Sequence, residues 1–290
     1  MPTAEKKVLV FGAQGMLGKT LLSTEASALA LDGIDLPECD ITSAEQVART
    51  LDRIQPDWVV NAAAYTDVDG CESRPELAEA VNGRAPGSLA LACRERGSRF
   101  LQVSTDFVFS GQAEEPYPET AEPGPLNEYG RSKLAGEKAV SAAGGDFVIL
   151  RTSWLFGPRG KNFPRTILQA ARSRPVLQVV DDQFGSPTFT RDLARAAFEL
   201  IRREARGLFH FSGKGSCSWH SYANFVLNEA GLSTRVEPIS SREAGRAAPR
   251  PAYSVLDCRH YEEFTGDKIR PWEEMVRSYL PSAIREINDD

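Results

Sequence analysis

Near the start of the chain an apolar, β-branched run, Lys7-Val-Leu-Val-Phe11, passes directly into Gly12-Ala-Gln14-Gly15-Met16-Leu17-Gly18 and then into a helical pattern. No other stretch restricts the fold as much. Three glycines at this spacing, between a strand and a helix, are a variant of the dinucleotide-binding fingerprint. In that reading Gly12 permits the tight turn, Gly15 lets the backbone approach a pyrophosphate, and Gly18 packs helix against strand. Gln14, Met16 and Leu17 then fall in the same cofactor-facing turn. The alternative is a plain strand-to-helix connection, and the strand before and helix after favour the nucleotide site.

A second apolar run, Ala28-Leu-Ala-Leu31, ends at Asp32, where a carboxylate commonly receives the ribose hydroxyls of a dinucleotide. Asp32 follows Gly18 by fourteen residues rather than about 20, so the first helix must be short. Asp40-Ile41 lies either beside the adenine ring or, for Asp40, in a turn before a helix capped by Thr42 or Ser43. The third strand, Asp57-Trp-Val-Val-Asn61, ends in Ala62-Ala63-Ala64-Tyr65-Thr66, small residues suited to the floor of a cofactor cleft. A helix from about 74 to 96 carries Asn82, which either bonds the backbone near Thr105 or satisfies a turn.

Tyr129 and Lys133 sit four residues apart, on one face of a predicted helix. A nearby ammonium stabilises tyrosinate, so Lys133 is expected to lower the pKa of Tyr129 and make it an acid–base group. Tyr-x-x-x-Lys also arises by chance in amphipathic helices. Its weight comes from Phe100-Leu-Gln-Val-Ser-Thr-Asp-Phe-Val-Phe109, an apolar run that delivers Ser104, Thr105 and Asp106 to a strand end, where open α/β sheets place their chemistry. With a fifth strand at Phe147–Thr152, the βα alternation predicts an α/β, Rossmann-type, doubly wound parallel sheet.

After Thr152 the texture changes to loops rich in aromatics, Gly and Pro, including Trp154, Asn162, Phe163 and Gln183, which are expected to wall a substrate pocket. Trp154 fits either a substrate platform or a core position. The expected division is a dinucleotide-binding domain over 1–152, joined by a segment from about 190 to 206. A smaller, intertwined substrate domain then occupies most of 153–290. Composition narrows the function classes. The formal net charge is −6 and the chain has no basic cluster, which argues against nucleic acid as a partner. Five scattered cysteines and three histidines show no metal-ligand spacing, so no metal site is expected. No apolar run approaches the ~20 residues of a membrane span, and no leader-like h-region precedes the first strand. A cytoplasmic protein is expected.

Several segments together resemble the extended short-chain dehydrogenase/reductases, and within them the dTDP-4-dehydrorhamnose reductase family. These are Phe11–Gly18, Asn61–Thr66, Ser104–Phe109, Tyr129–Glu137, Arg151–Trp154, Asp182–Thr188 and Arg250-Pro251. The resemblance covers nearly the whole chain. It implies hydride transfer from NADPH or NADH to C4 of a dTDP-linked keto-sugar, with catalytic Thr105, Tyr129 and Lys133. Lys133 would also hold the nicotinamide ribose. It further implies substrate contacts at Asp106, Trp154, Asn162, Phe163, Gln183 and Arg250.

Phe107 and Gly70 depart from the family pattern, which often has Tyr and Lys there. Some relatives carry a Glu in the first helix that supports a magnesium-bridged dimer. Lys19-Thr20 stand here instead, so Mg2+ is not expected and the protein should be a monomer or weak homodimer. The segment Leu31–Asp40 holds four carboxylates and no basic residue, which points to NADH serving at least as well as NADPH. Competing readings are another dTDP-4-keto-deoxysugar reductase, a sugar-nucleotide epimerase or dehydratase, and a non-catalytic subunit resembling the methionine adenosyltransferase beta subunit. The intact Thr–Tyr–Lys set weighs against the last.

Overall fold

The computed structural model describes residues 5–289, and six of its strands form one sheet in which every pairing is parallel. They are β1 (Lys6–Phe11), β2 (Leu29–Ile34), β3 (Trp58–Asn61), β4 (Arg99–Thr105), β5 (Phe147–Thr152) and β6 (Gly207–His210). Their order is β6-β5-β4-β3-β1-β2. The winding direction reverses between β1 and β3, so the carboxyl ends of these two strands open the crevice where such sheets bind ligands.

The apolar runs explain the layering. Parallel strands covered on both faces read as nearly continuous hydrophobic stretches, and side chains alternate between the faces. Val8 and Val10 enter one core with Trp58, Leu101 and Leu150. Leu9 and Phe11 enter the other with Val59, Phe100 and Ile149. The first core is covered by helices α1 (Met16–Ser23), α6 (Thr190–Arg202), α7 (Trp219–Glu229) and α8 (Trp272–Asp289), together with α5 (Phe163–Ala171). The second is covered by α2 (Ala44–Ile54), α3 (Ala85–Glu95) and α4 (Glu128–Ala143).

Two elements differ from expectation. The second strand does not end at Leu31: pairing with β1 carries it to Ile34, opposite Phe11. The helix expected from about 74 to 96 is interrupted by a π-helical turn at Glu79–Arg84 that holds Asn82. Segment 207–210 joins the main sheet as its sixth strand, beside β5. Beyond β5, short pairings knit the remaining loops together. Val176–Val180 runs parallel to Arg235–Ile239, Phe184–Gly185 pairs antiparallel with Cys217–Ser218, and Leu155–Phe156 pairs with Thr188–Phe189. Among the described residues, no helix is long and apolar enough to cross a membrane.

Candidate active site

The glycine turn closes on the neighbouring strand. Gly12 has φ +79°, a left-handed conformation that favours glycine, and a Cβ there would lie 2.6 Å from Ala63 N and 2.8 Å from the Ala62 carbonyl carbon. A Cβ at Gly18 would run into the carbonyl oxygen of Gly12. The turn therefore packs directly on the end of β3. It forms a cleft of about 230 Å³ lined by Gly12, Gly15, Asp35, Asp40, Ile41 and Ala62–Ala64, among others. Gln14, Met16, Leu17, Gly18 and Tyr65 are not in that lining. Leu17 is core, and Tyr65 is clamped through its backbone by Asn82, whose Oδ1 accepts from Tyr65 N and whose Nδ2 donates to Tyr65 O. Asn82 also donates to Ser132 Oγ at 3.2 Å, so it ties the cleft to α4 rather than to Thr105.

Asp32 does not reach the cleft. It lies within β2, opposite Leu9, and is exposed. The carboxylate just past the strand end is Asp35, whose Oδ2 accepts from Gln14 N at 2.8 Å and whose Oδ1 accepts from Leu36 N. The reason is register: β2 continues three residues past Leu31, to Ile34. Measured from Gly18, Asp35 also fits the usual spacing of about 20 better than Asp32 does. Asp40 lines the cleft and also closes a turn, its Oδ1 accepting from the Thr42 amide and hydroxyl.

Thr105 ends β4 and is followed by a tight turn. Its hydroxyl accepts from Phe107 N at 3.2 Å and donates to Asp106 Oδ1 at 3.0 Å, while Ser254 donates to Asp106 Oδ2 at 2.6 Å. Burial pushes the Asp106 carboxyl up to about 6. Tyr129 opens α4, which Asn127 caps by accepting from Gly130 N. Phe107 packs edge-on against the Tyr129 ring, with centroids 5.6 Å apart.

Lys133 Nζ, one turn further on, donates to Val103 O at 2.7 Å. The expected lowering of the Tyr129 pKa by Lys133 does not occur. Burial holds the phenol well above its ordinary value and outweighs the opposing hydrogen bond with Thr105, while one N–H of Lys133 goes to the Val103 carbonyl. Burial likewise brings Lys133 down to about 8, opposed by Glu137. The phenol thus keeps its proton at neutral pH, as a donor must.

The residues expected to touch substrate have partners within the protein. Asn162 caps α5, accepting from Arg165 N and donating to Gly157 O, Gly160 O and the Tyr279 hydroxyl. Gln183 Nε2 donates to Ser241 Oγ at 2.8 Å. Arg250 pairs with Asp69 at 2.9 Å and holds its carboxyl below the usual range. Phe163 packs 4.6 Å from Trp219.

Trp154 stacks on Trp219 with centroids 3.5 Å apart and planes 8° from parallel. It has φ +46°, which a bulky residue adopts only where its surroundings hold it there. It is therefore part of the packing, and it lines neither the glycine-turn cleft nor the larger cavity described below. Trp154→Ala is expected to cost about 2–4 kcal/mol, from a half-buried aromatic and its stack. A thermal melt within a degree of wild type would leave it a platform alone. Beyond Ser254 a second cavity of about 410 Å³ opens, lined by Ser186, Ser212–Ser216, Tyr253 and Val255–Arg259, among others. No cluster of three metal-ligating side chains occurs among the described residues.

A glycine turn at the switch point of a parallel sheet, with Tyr129 in contact with Thr105 at a strand end and Lys133 bound to the same strand, is the arrangement of a short-chain dehydrogenase/reductase of the extended type. Similarity to known proteins narrows that class. Residues 6–284 match the family described as the RmlD substrate binding domain. The spore coat polysaccharide biosynthesis protein SpsK of Bacillus subtilis is 39% identical over 275 residues, covering 94% of this chain and 96% of that protein. A dTDP-4-dehydrorhamnose reductase of Burkholderia thailandensis is 40% identical over 291 residues, covering 93% and 96%. The crystal structure of the Bacillus anthracis dTDP-4-dehydrorhamnose reductase in complex with NADP superposes with a TM-score of 0.92 at 35% identity, covering 96% of this chain and 99% of that one. The chain belongs to the dTDP-4-dehydrorhamnose reductase family.

Proposed function

We propose that this protein reduces the 4-keto group of dTDP-4-dehydro-L-rhamnose to give dTDP-L-rhamnose, using a reduced nicotinamide dinucleotide. The observation that carries the reading is that α4 brings the Tyr129 phenol into hydrogen-bonding contact with Thr105 at the end of β4 and the Lys133 ammonium onto the Val103 carbonyl of the same strand. The cleft suits the cofactor, because the space a Cβ would fill at Gly12 is already taken by the Ala62–Ala63 backbone just past β3, and small residues form its floor. When bound, the nicotinamide supplies the hydride. Tyr129 supplies the proton to the developing alkoxide, and Thr105 orients the carbonyl oxygen. Lys133 holds a ribose hydroxyl. Residues 1–152 and about 190–206 then serve the cofactor, and the rest of 153–290 mainly the substrate, in a cytoplasmic monomer or weak homodimer.

Incubation with dTDP-4-dehydro-L-rhamnose and NADH or NADPH, following reduced-cofactor absorbance, tests the reading. Consumption with formation of dTDP-L-rhamnose supports it. Turnover only of a different dTDP-4-keto-deoxysugar would move the specificity within the same class. Binding without any consumption would favour a non-catalytic subunit.

Cofactor choice turns on Asp35. A 2′-phosphate about 4 Å from this carboxylate meets repulsion of roughly 1–4 kcal/mol, depending on the effective dielectric. NADH is therefore expected to serve at least as well as NADPH, and Asp35→Ala to move the ratio of kcat/KM toward NADPH by about tenfold. A wild-type preference for NADPH that the substitution leaves unaltered would rule this out.

A further inference from the structure

Tyr129, Lys133 and Glu137 follow one another at four-residue steps on α4 and so share one face of the helix. The first two lie at the end of β4. The third closes on the neighbouring strands. Glu137 Oε1 accepts from the Ser104 hydroxyl at 2.5 Å, and Arg151 donates to both carboxylate oxygens at 2.9 and 2.6 Å. Ser104 and Arg151 are register partners on β4 and β5, one residue before Thr105 and Thr152. Arg151 extends the contact to β6, where its Nη1 lies 3.3 Å from His210 Nε2. Burial holds the His210 ring neutral, pushed down to about 3, so its Nδ1–H donates to Tyr117 O and its Nε2 accepts from the guanidinium. Ser104, Glu137, Arg151 and His210 are all buried.

A buried ion pair is not required to join a helix to a sheet, because well-packed apolar side chains of similar volume do so as well or better. What the pair adds here is geometry. It fixes α4 one turn from Lys133 and one residue from Thr105. We propose that Glu137 is a positioning residue for the reduction: clamped between Ser104 and Arg151, it sets the height and rotation of the helix bearing Tyr129 and Lys133 against the strand end bearing Thr105. The proposal rests on the reductase reading above. A displacement of ~1 Å among reacting groups costs on the order of 10²-fold in rate, so the loss falls on kcat.

Glu137→Gln keeps the side chain's shape and removes its charge. Its kcat is expected to fall roughly 10–100-fold, with KM for both substrates within about threefold of wild type. Leaving Arg151 unpaired also destabilises that variant, so the double variant Glu137→Gln with Arg151→Met carries the decision. It is expected to recover the melting temperature but not kcat. Amide hydrogen exchange across 128–137 should remain at least about fivefold faster than in wild type. Recovery of both the melting temperature and wild-type exchange would make the pair merely structural and overturn the proposal. Exchange is read without substrate, so a wild-type protein inactive on the keto-sugar would count against the reductase reading and leave this test intact.

Discussion

Tyr129→Phe is expected to lower kcat by roughly 10²–10⁴, the contribution of one general acid, while cofactor affinity changes little. The phenol is the acidic group that α4 brings to Thr105, and its raised pKa keeps it protonated through the neutral range. Phenylalanine preserves the edge-on contact with Phe107, so the fold should not register the change. Lys133 sets the alkaline side. Its ammonium is present below its pKa of about 8 and lost above it, so activity that needs the charge is full at neutral pH and falls as pH rises through about 8. A Tyr129→Phe enzyme retaining more than about half its activity would remove Tyr129 from the chemistry.

Gly12→Ala is expected to act on both stability and binding. An L side chain at φ +79° costs about 1–2 kcal/mol before any contact is counted. Its Cβ would also lie 2.6 Å from Ala63 N, and neither backbone can yield without moving β1 or β3. A total of about 2–5 kcal/mol follows, visible as a fall in melting temperature of roughly 5–15 °C. Because Ala62 and Ala63 line the cleft, whatever shift relieves the clash deforms it, and affinity for the dinucleotide should fall by about tenfold or more. Unchanged affinity and melting temperature would mean that the turn tolerates a side chain and is not a dinucleotide cradle. Gly97 is the control: it also has positive φ, +73°, but a Cβ there meets nothing within 4 Å, so Gly97→Ala should cost only the conformational part.

Much of the architecture was written locally. The run from Lys7 to Gly18 specified a strand, a tight turn and a helix, because each depends on covalent neighbours: β-branched side chains, a residue free to take positive φ, and a small residue where backbones touch. The spacing of Tyr129 and Lys133 placed them on one helix face, and the apolar run before Thr105 brought that residue to a strand end. Nearly continuous hydrophobic strands likewise announced a sheet covered on both sides.

Tertiary structure decided whatever depends on partners distant in the chain. The end of β2 is set by its register with β1 and not by its own apolar content, which is why Asp35 and not Asp32 faces the cleft. The proton affinity of Tyr129 follows from burial that no spacing reports. Asn162 meets Tyr279, Gln183 meets Ser241 and Arg250 meets Asp69 only because loops far apart in sequence converge. Glu137 is legible as a helix residue, but its closure on Ser104 and Arg151 exists only once β4 and β5 lie side by side, since periodicity encodes which way a side chain points and only packing determines what it meets.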